Sequence, residues 1–422
     1  MNILLKSVKI IDSKSKFNNI IKDVLISDGI IVKIEDSIKA EANWKVIEIK
    51  DACVSPGWVD VNANCPDPGF EYKENFTSLN KAAVYGGYTT VLLSPLANPV
   101  RDNKAQVEYV INNSKPLLID VLPLGAISSK LEGKELAEMY DMFSAGAVAF
   151  SDAKNPVMHS GLMMRALLYA KQFDATVISY CDDKNLSQGG KMNEGVVSTS
   201  LGLKPRPAIA ESVMLNRDIT LLNYTESKLH VNTVSCIDSI KEISNAKKAG
   251  LSISANVSIN NLFHNEEVLK EFDTNFKLLP PLRDEENRVA LVKAVKDKVI
   301  DIVVSDHTPE DVEVKKVEFD GAAFGSIGLE TCFGAMNKVL SNEMNLQEII
   351  DLISHNPRRI FGLKEASVNV DVYANLTLFN PNHDWIYDPA QVQSSSKNSC
   401  MFGKKLKGKA LGVINKGGFA LV

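Results

Sequence analysis

The chain opens with short runs in which apolar residues cluster or alternate, ILLKSVKIID, DVLISDGIIVKIE and WKVIEIK, with polar turns between them. Within the second run Asp28-Gly29 sits between two β-rich halves, the pattern of a tight hairpin. The last fifty residues repeat the style in NLTLFNP, KALGVI and GGFALV. Two β-rich ends flanking a long middle predict that the termini pair into one small β domain.

The middle alternates. Apolar, β-branched runs occur at 55–61, 89–95, 117–125, 146–152, 175–181, 229–235, 251–258 and 301–307. Amphipathic helical patterns such as SLNKAAVYGG, SGLMMRALLYAKQF and ENRVALVKAVKDK lie between most of them. Strands alternating with helices imply a parallel sheet, and eight such units predict a closed (β/α)8 TIM barrel. The expected organisation is an α/β chain: residues 1–53 and 363–422 form a small β-sandwich, and 54–362 form the barrel. A longer insert follows the fifth strand, at about 184–206, and a long loop follows the eighth. Such loops belong to the active-site face of a barrel.

Composition narrows the function classes. The 422 residues carry a net charge of −5, which argues against nucleic acid or an anionic membrane as principal partner. No apolar run reaches the roughly 18 residues of a membrane span and no signal-peptide pattern opens the chain, so the expected compartment is the cytoplasm. Six cysteines lack any Cys-x-x-Cys pair and are expected as buried free thiols. The Lys315-Lys316 and Lys404-Lys405 pairs are expected on solvated faces. No Walker loop, Rossmann fingerprint or Ser-His-Asp arrangement is present.

The chemistry of such a barrel lies at the C-terminal ends of its strands. Those ends carry Asn62 and Asn64, then Leu96, Asp152, Tyr180, Thr233, Asn256 and Asp306. Asn62 and Asn64 are two apart and share a face of an extended strand. Acids end two strands and histidine ends none.

The segments VSPGWVDVNANCPDPGFEYKE, GGYTTVLLSPLANPV, GAVAFSD, LPPLRDEENRVALVKAV, VSDHTPE, AAFGSIGLET and ISHNPRRIFGL, in this order, resemble the dihydroorotase family of the amidohydrolase superfamily. The resemblance implies a barrel with a β-sandwich built from both termini, and a role in pyrimidine biosynthesis. In active members of that family zinc is held by a His-x-His on the first strand, a carboxylate after the fourth, histidines after the fifth and sixth, and an aspartate after the eighth. The aspartate also serves as general acid/base. The matching positions here are Asn62, Asn64, Asp152, Tyr180, Thr233 and Asp306, so both acids remain and all four imidazoles are replaced. The family's substrate-binding positions become Pro66, Leu96, Leu279 and Glu310.

Two carboxylates with amide, phenol and hydroxyl neighbours are a poor zinc set, and no cofactor is expected. His230 and His307 sit at odd offsets from the mouth positions and are expected to point away, His230 outside the mouth. Cys65 and Cys181 are expected as buried thiols. Asp152 and Asp306, left as neighbouring carboxylates, are expected to have raised pKa values and to gain donors from Asn62, Asn64, Tyr180 and Thr233. Their plainer role is packing, with Asp306 a vestige. The resemblance implies a non-catalytic homologue, commonly dimeric, that supports assembly of aspartate transcarbamoylase. The alternative is a hydrolase of cyclic amides with a rebuilt site.

Overall fold

A computed structural model describes residues 1–422. Its eight barrel strands fall on the eight apolar runs. They are β6 (Trp58–Ala63), β7 (Tyr88–Leu93), β8 (Asp120–Pro123), β9 (Ala149–Ser151), β10 (Thr176–Ser179), β13 (Leu229–Val231), β14 (Ile253–Ser258) and β15 (Ile302–Val304). All pairings among them are parallel, in two arcs, β6-β7-β8 and β9-β10-β13-β14-β15. The arcs meet at a parallel bridge between Gly125 and Phe150. On the other side the Asn64 N–H donates to the His307 carbonyl at 2.9 Å. The Asp60 carboxylate also spans that seam, accepting from the Ser305 N–H at 2.7 Å and the Asn62 N–H at 2.9 Å.

Alternation along the strands sorts the side chains. Val59, Val61, Leu92, Leu124, Ala149, Ile178, Ile302 and Val304 fill the barrel with Phe361. Val91, Leu93, Val121, Val177, Val231, Val257 and Val303 face outward into the main core beneath the helices. The helices have local start and stop signals. Phe76–Gly86 begins with a capping box between Asn75 and Ser78, and ends at Gly87 in the left-handed region, φ 86°. Glu285–Lys296 is capped by Asp284, with Glu285 and Glu286 in its first turn and Lys293 and Lys296 in its last, as the helix dipole favours.

The terminal strands form one sheet. Its members are β1 (Asn2–Ile10), β2 (Ile21–Ser27), β3 (Ile30–Glu35), β4 (Lys45–Glu48), β5 (Cys53–Pro56), β16 (Leu376–Ile386), β17 (Lys405–Asn415) and β18 (Gly418–Leu421). Their order is β18-β17-β16-β5-β1-β2-β3, with β4 beside β1. The Asp28-Gly29 hairpin forms as expected, with both residues at positive φ. Antiparallel pairing of Cys53–Pro56 with Leu376–Phe379 joins the two ends of the chain. Trp58, fully buried, packs on Phe333 at 4.5 Å and on Phe379 of β16 at 5.3 Å, fastening sheet to barrel.

The insert after β10 carries a short parallel ladder of β11 (Met192–Asn193) and β12 (Pro205–Arg206). Arg206 pairs with Asp182, and Arg283 donates to Asn193 at 2.9 Å, so buried ions clamp the insert to the barrel. Residues 394–400 leave the terminal sheet and run beside the eighth loop. Asn398 there donates to the Thr308 and Gly325 carbonyls at 3.0 and 3.1 Å. No helix is long and apolar enough to cross a membrane.

Candidate functional site at the mouth of the barrel

Asn62, Asn64, Asp152, Tyr180, Thr233 and Asp306 are all buried, none more than 8% exposed. Asp306 is the centre of the mouth, at φ 52° where the chain leaves β15. Its Oδ1 accepts from Asn62 Nδ2 at 2.9 Å. The Lys154 ammonium lies 2.6 Å from Oδ1 and 2.8 Å from Oδ2, and also donates to the Leu279 carbonyl. Lys154 follows β9 by three residues, and sequence reasoning missed it because lysine is not a metal-ligand type. Its signal was nonetheless present: a carboxylate buried without a metal needs another cation or a set of hydrogen-bond donors.

The remaining donors do not serve the two acids as expected. Asn64 Nδ2 donates to Thr308 Oγ1 at 3.0 Å and lies 3.3 Å from the His307 carbonyl. Thr233 accepts no mouth role: its N–H donates to Asn256 Oδ1 at 2.7 Å, and its buried hydroxyl has no partner. Tyr180 is buried, and that burial, followed by the nearby Asp182, pushes its phenol well above the ordinary value. Asp152 is held by other donors, accepting from the Ile127 and Ser128 N–H groups at 2.9 Å each and from the Ser128 hydroxyl. Three local donors after β8 hold it more readily than a second carboxylate could. Asp152 and Asp306 both have raised pKa values, but burial is the leading cause of each. The like charge that raises Asp306 further is Asp60.

Each of the six histidines is committed elsewhere or exposed. His159 caps the helix Ser160–Lys171, accepting from the Leu162 N–H. His230 is inside the barrel rather than outside the mouth. It lies edge-on to Phe361 and 2.9 Å from Asn256 Nδ2. Thr233, at φ 51°, breaks the alternation, so parity counted back from it misassigned His230. A polar chain runs from His230 through Asn256 and Asn232 to Asn62, the last link being 3.5 Å. His307 points away from Asp306: Nδ1 accepts from the Gly328 N–H at 3.2 Å, which leaves Nε2–H to donate to Glu74 at 3.2 Å. His264 packs between Phe263 and Phe276, His355 meets Asp12 at 2.8 Å, and His383 is exposed.

The other anticipated positions have structural surroundings of their own. Pro66 belongs to a turn, its carbonyl accepting from the Phe70 N–H. Beneath it the fully buried Arg101 donates to the Cys65 and Asp67 carbonyls at 3.0 and 2.7 Å. Leu96 and Leu279 are half-buried, and Leu279 contributes its carbonyl. Glu310 pairs with Lys73 at 2.7 Å. All six cysteines are buried and unpaired, and burial raises the Cys65 and Cys181 thiols well above the ordinary value. Lys315 departs from its expected place: it is buried, donating to the Ala323 and Gly325 carbonyls at 3.0 Å each. Those carbonyls of the folded eighth loop substitute for water.

A family profile described as Dihydro-orotase-like matches residues 52–239. Two curated relatives bear the name dihydroorotase. That of Syntrophus aciditrophicus is 37% identical over 420 residues, covering 99% of this chain and 98% of its own. That of Ruminiclostridium cellulolyticum is 39% identical over 412 residues, covering 97% and 96%. The chain belongs to the dihydroorotase family. Among solved structures, an L-hydantoinase (dihydropyrimidinase) from Arthrobacter aurescens superposes with a TM-score of 0.87 at 21% identity, covering 99% of this chain and 96% of that one. A D-hydantoinase gives 0.85 at 22%, covering 100% and 95%. These two establish the shared barrel-and-sandwich fold.

The dihydroorotase family implies zinc, and the residues at this mouth do not fit it. Zinc takes thiolate, imidazole and carboxylate ligands. Here the family's imidazole positions carry two neutral amides, a phenol whose pKa burial raises and a threonine hydroxyl, and Asp306 is already paired with an ammonium.

Proposed function

We propose that this dihydroorotase-family chain is a non-catalytic member of pyrimidine metabolism, acting as a structural partner in the assembly of aspartate transcarbamoylase, as a homodimer. The observation that carries the non-catalytic reading is Lys154 on Asp306. An acid/base aspartate must be free to exchange protons with substrate. This one is 4% exposed, closed by an ammonium and an amide. Amide-ring hydrolysis also needs activated water or an activated nucleophile, and the cysteines are held as thiols while the histidines are engaged elsewhere or, for His383, exposed on the terminal sheet. The partnership rests on the family resemblance, and co-purification tests it. The proposal expects the transcarbamoylase to be retained on the tagged chain and to assemble poorly without it. A transcarbamoylase that assembles equally well alone contradicts it.

The second reading is a cyclic-amide hydrolase of dihydroorotase type with a rebuilt site. It is favoured by the printed names of relatives up to 39% identical over nearly the whole chain. Measured turnover of dihydroorotate separates it from the first.

A further inference from the structure

Three other segments of the mouth meet the ammonium of Lys154, two directly and one through Asp306. Lys154 comes from the loop after β9, the Leu279 carbonyl from the segment after β14, Asp306 from the end of β15, and Asn62 from β6 through Asp306. Asp306 is pinned twice over, because the Thr308 hydroxyl donates to its carbonyl at 3.1 Å while accepting from Asn64. A buried carboxylate beside a backbone carbonyl is an acceptor set for a small cation with diverging N–H donors, which a primary ammonium supplies. The Lys154 side chain is 18% exposed, so its stem runs out toward solvent from an Asp306 side chain that is 5% exposed. We infer that the mouth of the barrel is a primary-ammonium site, filled in this chain by its own Lys154, and that the same acceptors bind an alkylammonium ion from solution once that side chain is removed. The inference deepens the non-catalytic reading, on which it rests for the claim that nothing else competes for Asp306.

Trimming tests it. Lys154→Gly leaves Asp306 buried without its cation, and a fall in Tm of about 5 °C is expected. Adding n-butylammonium should restore most of the loss, whereas n-butanol or sodium chloride at equal concentration should not. Lys154→Met, which keeps the stem without the charge, should lose stability similarly. The double variant Lys154→Met/Asp306→Asn should recover part of that loss, because the stranded charge is gone. If Lys154→Gly does not fold, the comparison of Lys154→Met with the double variant decides instead. An unchanged Tm in Lys154→Gly, rescue by butanol as good as by butylammonium, or no recovery in the double variant overturns the inference. Dihydroorotate turnover by the unaltered protein overturns the non-catalytic reading instead, whatever the rescue shows.

Discussion

His230 and Asp306 sit in one barrel under opposite electrostatic demands. Burial lowers the His230 pKa from 6.5 to about 3 and lowers His264 likewise to about 3. The folded rings therefore stay neutral through a range in which the unfolded rings bind protons. Stability rises with pH between those limits and is lost as pH falls from 6.5 toward 3, at up to about 1.4 kcal/mol per pH unit for each ring. Urea midpoints at neutral and mildly acidic pH should show that slope, and His230→Asn should flatten it; an unchanged slope contradicts the assignment. Asp306 is served by Lys154, which yields a second prediction. Asn62→His/Asn64→His restores two imidazoles but leaves the ammonium in place, so zinc bound after purification should remain well below one per chain. Stoichiometric zinc in that variant contradicts the view that Lys154 closes the site. At this scale the sequence pointed to Asn62, Asn64 and Asp306, and the structure sets Asn62 on Asp306 and Asn64 on Thr308. It misjudged Asp152, whose partners come from an unremarkable backbone turn at Ile127-Ser128. It missed Lys154, because no periodicity marks a lysine on a loop.

The eighth loop behaves as a folded element although it lacks extended regular structure. Lys277 donates to the Phe319 and Asp320 carbonyls at 2.6 and 2.8 Å, and Lys315 to those of Ala323 and Gly325. Unsatisfied buried acceptors cost about 1–3 kcal/mol each. Lys315→Met should therefore loosen residues 312–325 and speed proteolytic cleavage there, with little change at the insert, which has its own ion clamps. Cleavage at the same rate as the unaltered protein contradicts the latch. The length of this loop was legible in the sequence and its internal fastening was not. A Lys-Lys pair reads as solvated until the carbonyls that enclose one member are known. Strand placement fared better, because apolar runs of seven to nine residues between helical periods admit few alternatives in a parallel barrel.

Across the whole molecule, the aromatic cluster of Trp58, Phe333 and Phe379 joins sheet and barrel into one packed body. Phe379→Ala should cost about 3–5 kcal/mol and separate the thermal transition of the terminal sheet from that of the barrel; one shifted but still single transition contradicts that mechanical role. The barrel and the pairing of both termini were readable because each depends on hydrophobic period, which the sequence displays directly. The fastening of Ser394–Cys400 onto the eighth loop was not, since it depends on single side chains such as Asn398. Family membership gives the ancestry of this fold, and the mouth decides what it can do. The most direct measurement is turnover of dihydroorotate by the purified protein with zinc supplied throughout expression and assay. A rate indistinguishable from buffer is the predicted result, and turnover that is abolished by Asp306→Asn would contradict the account.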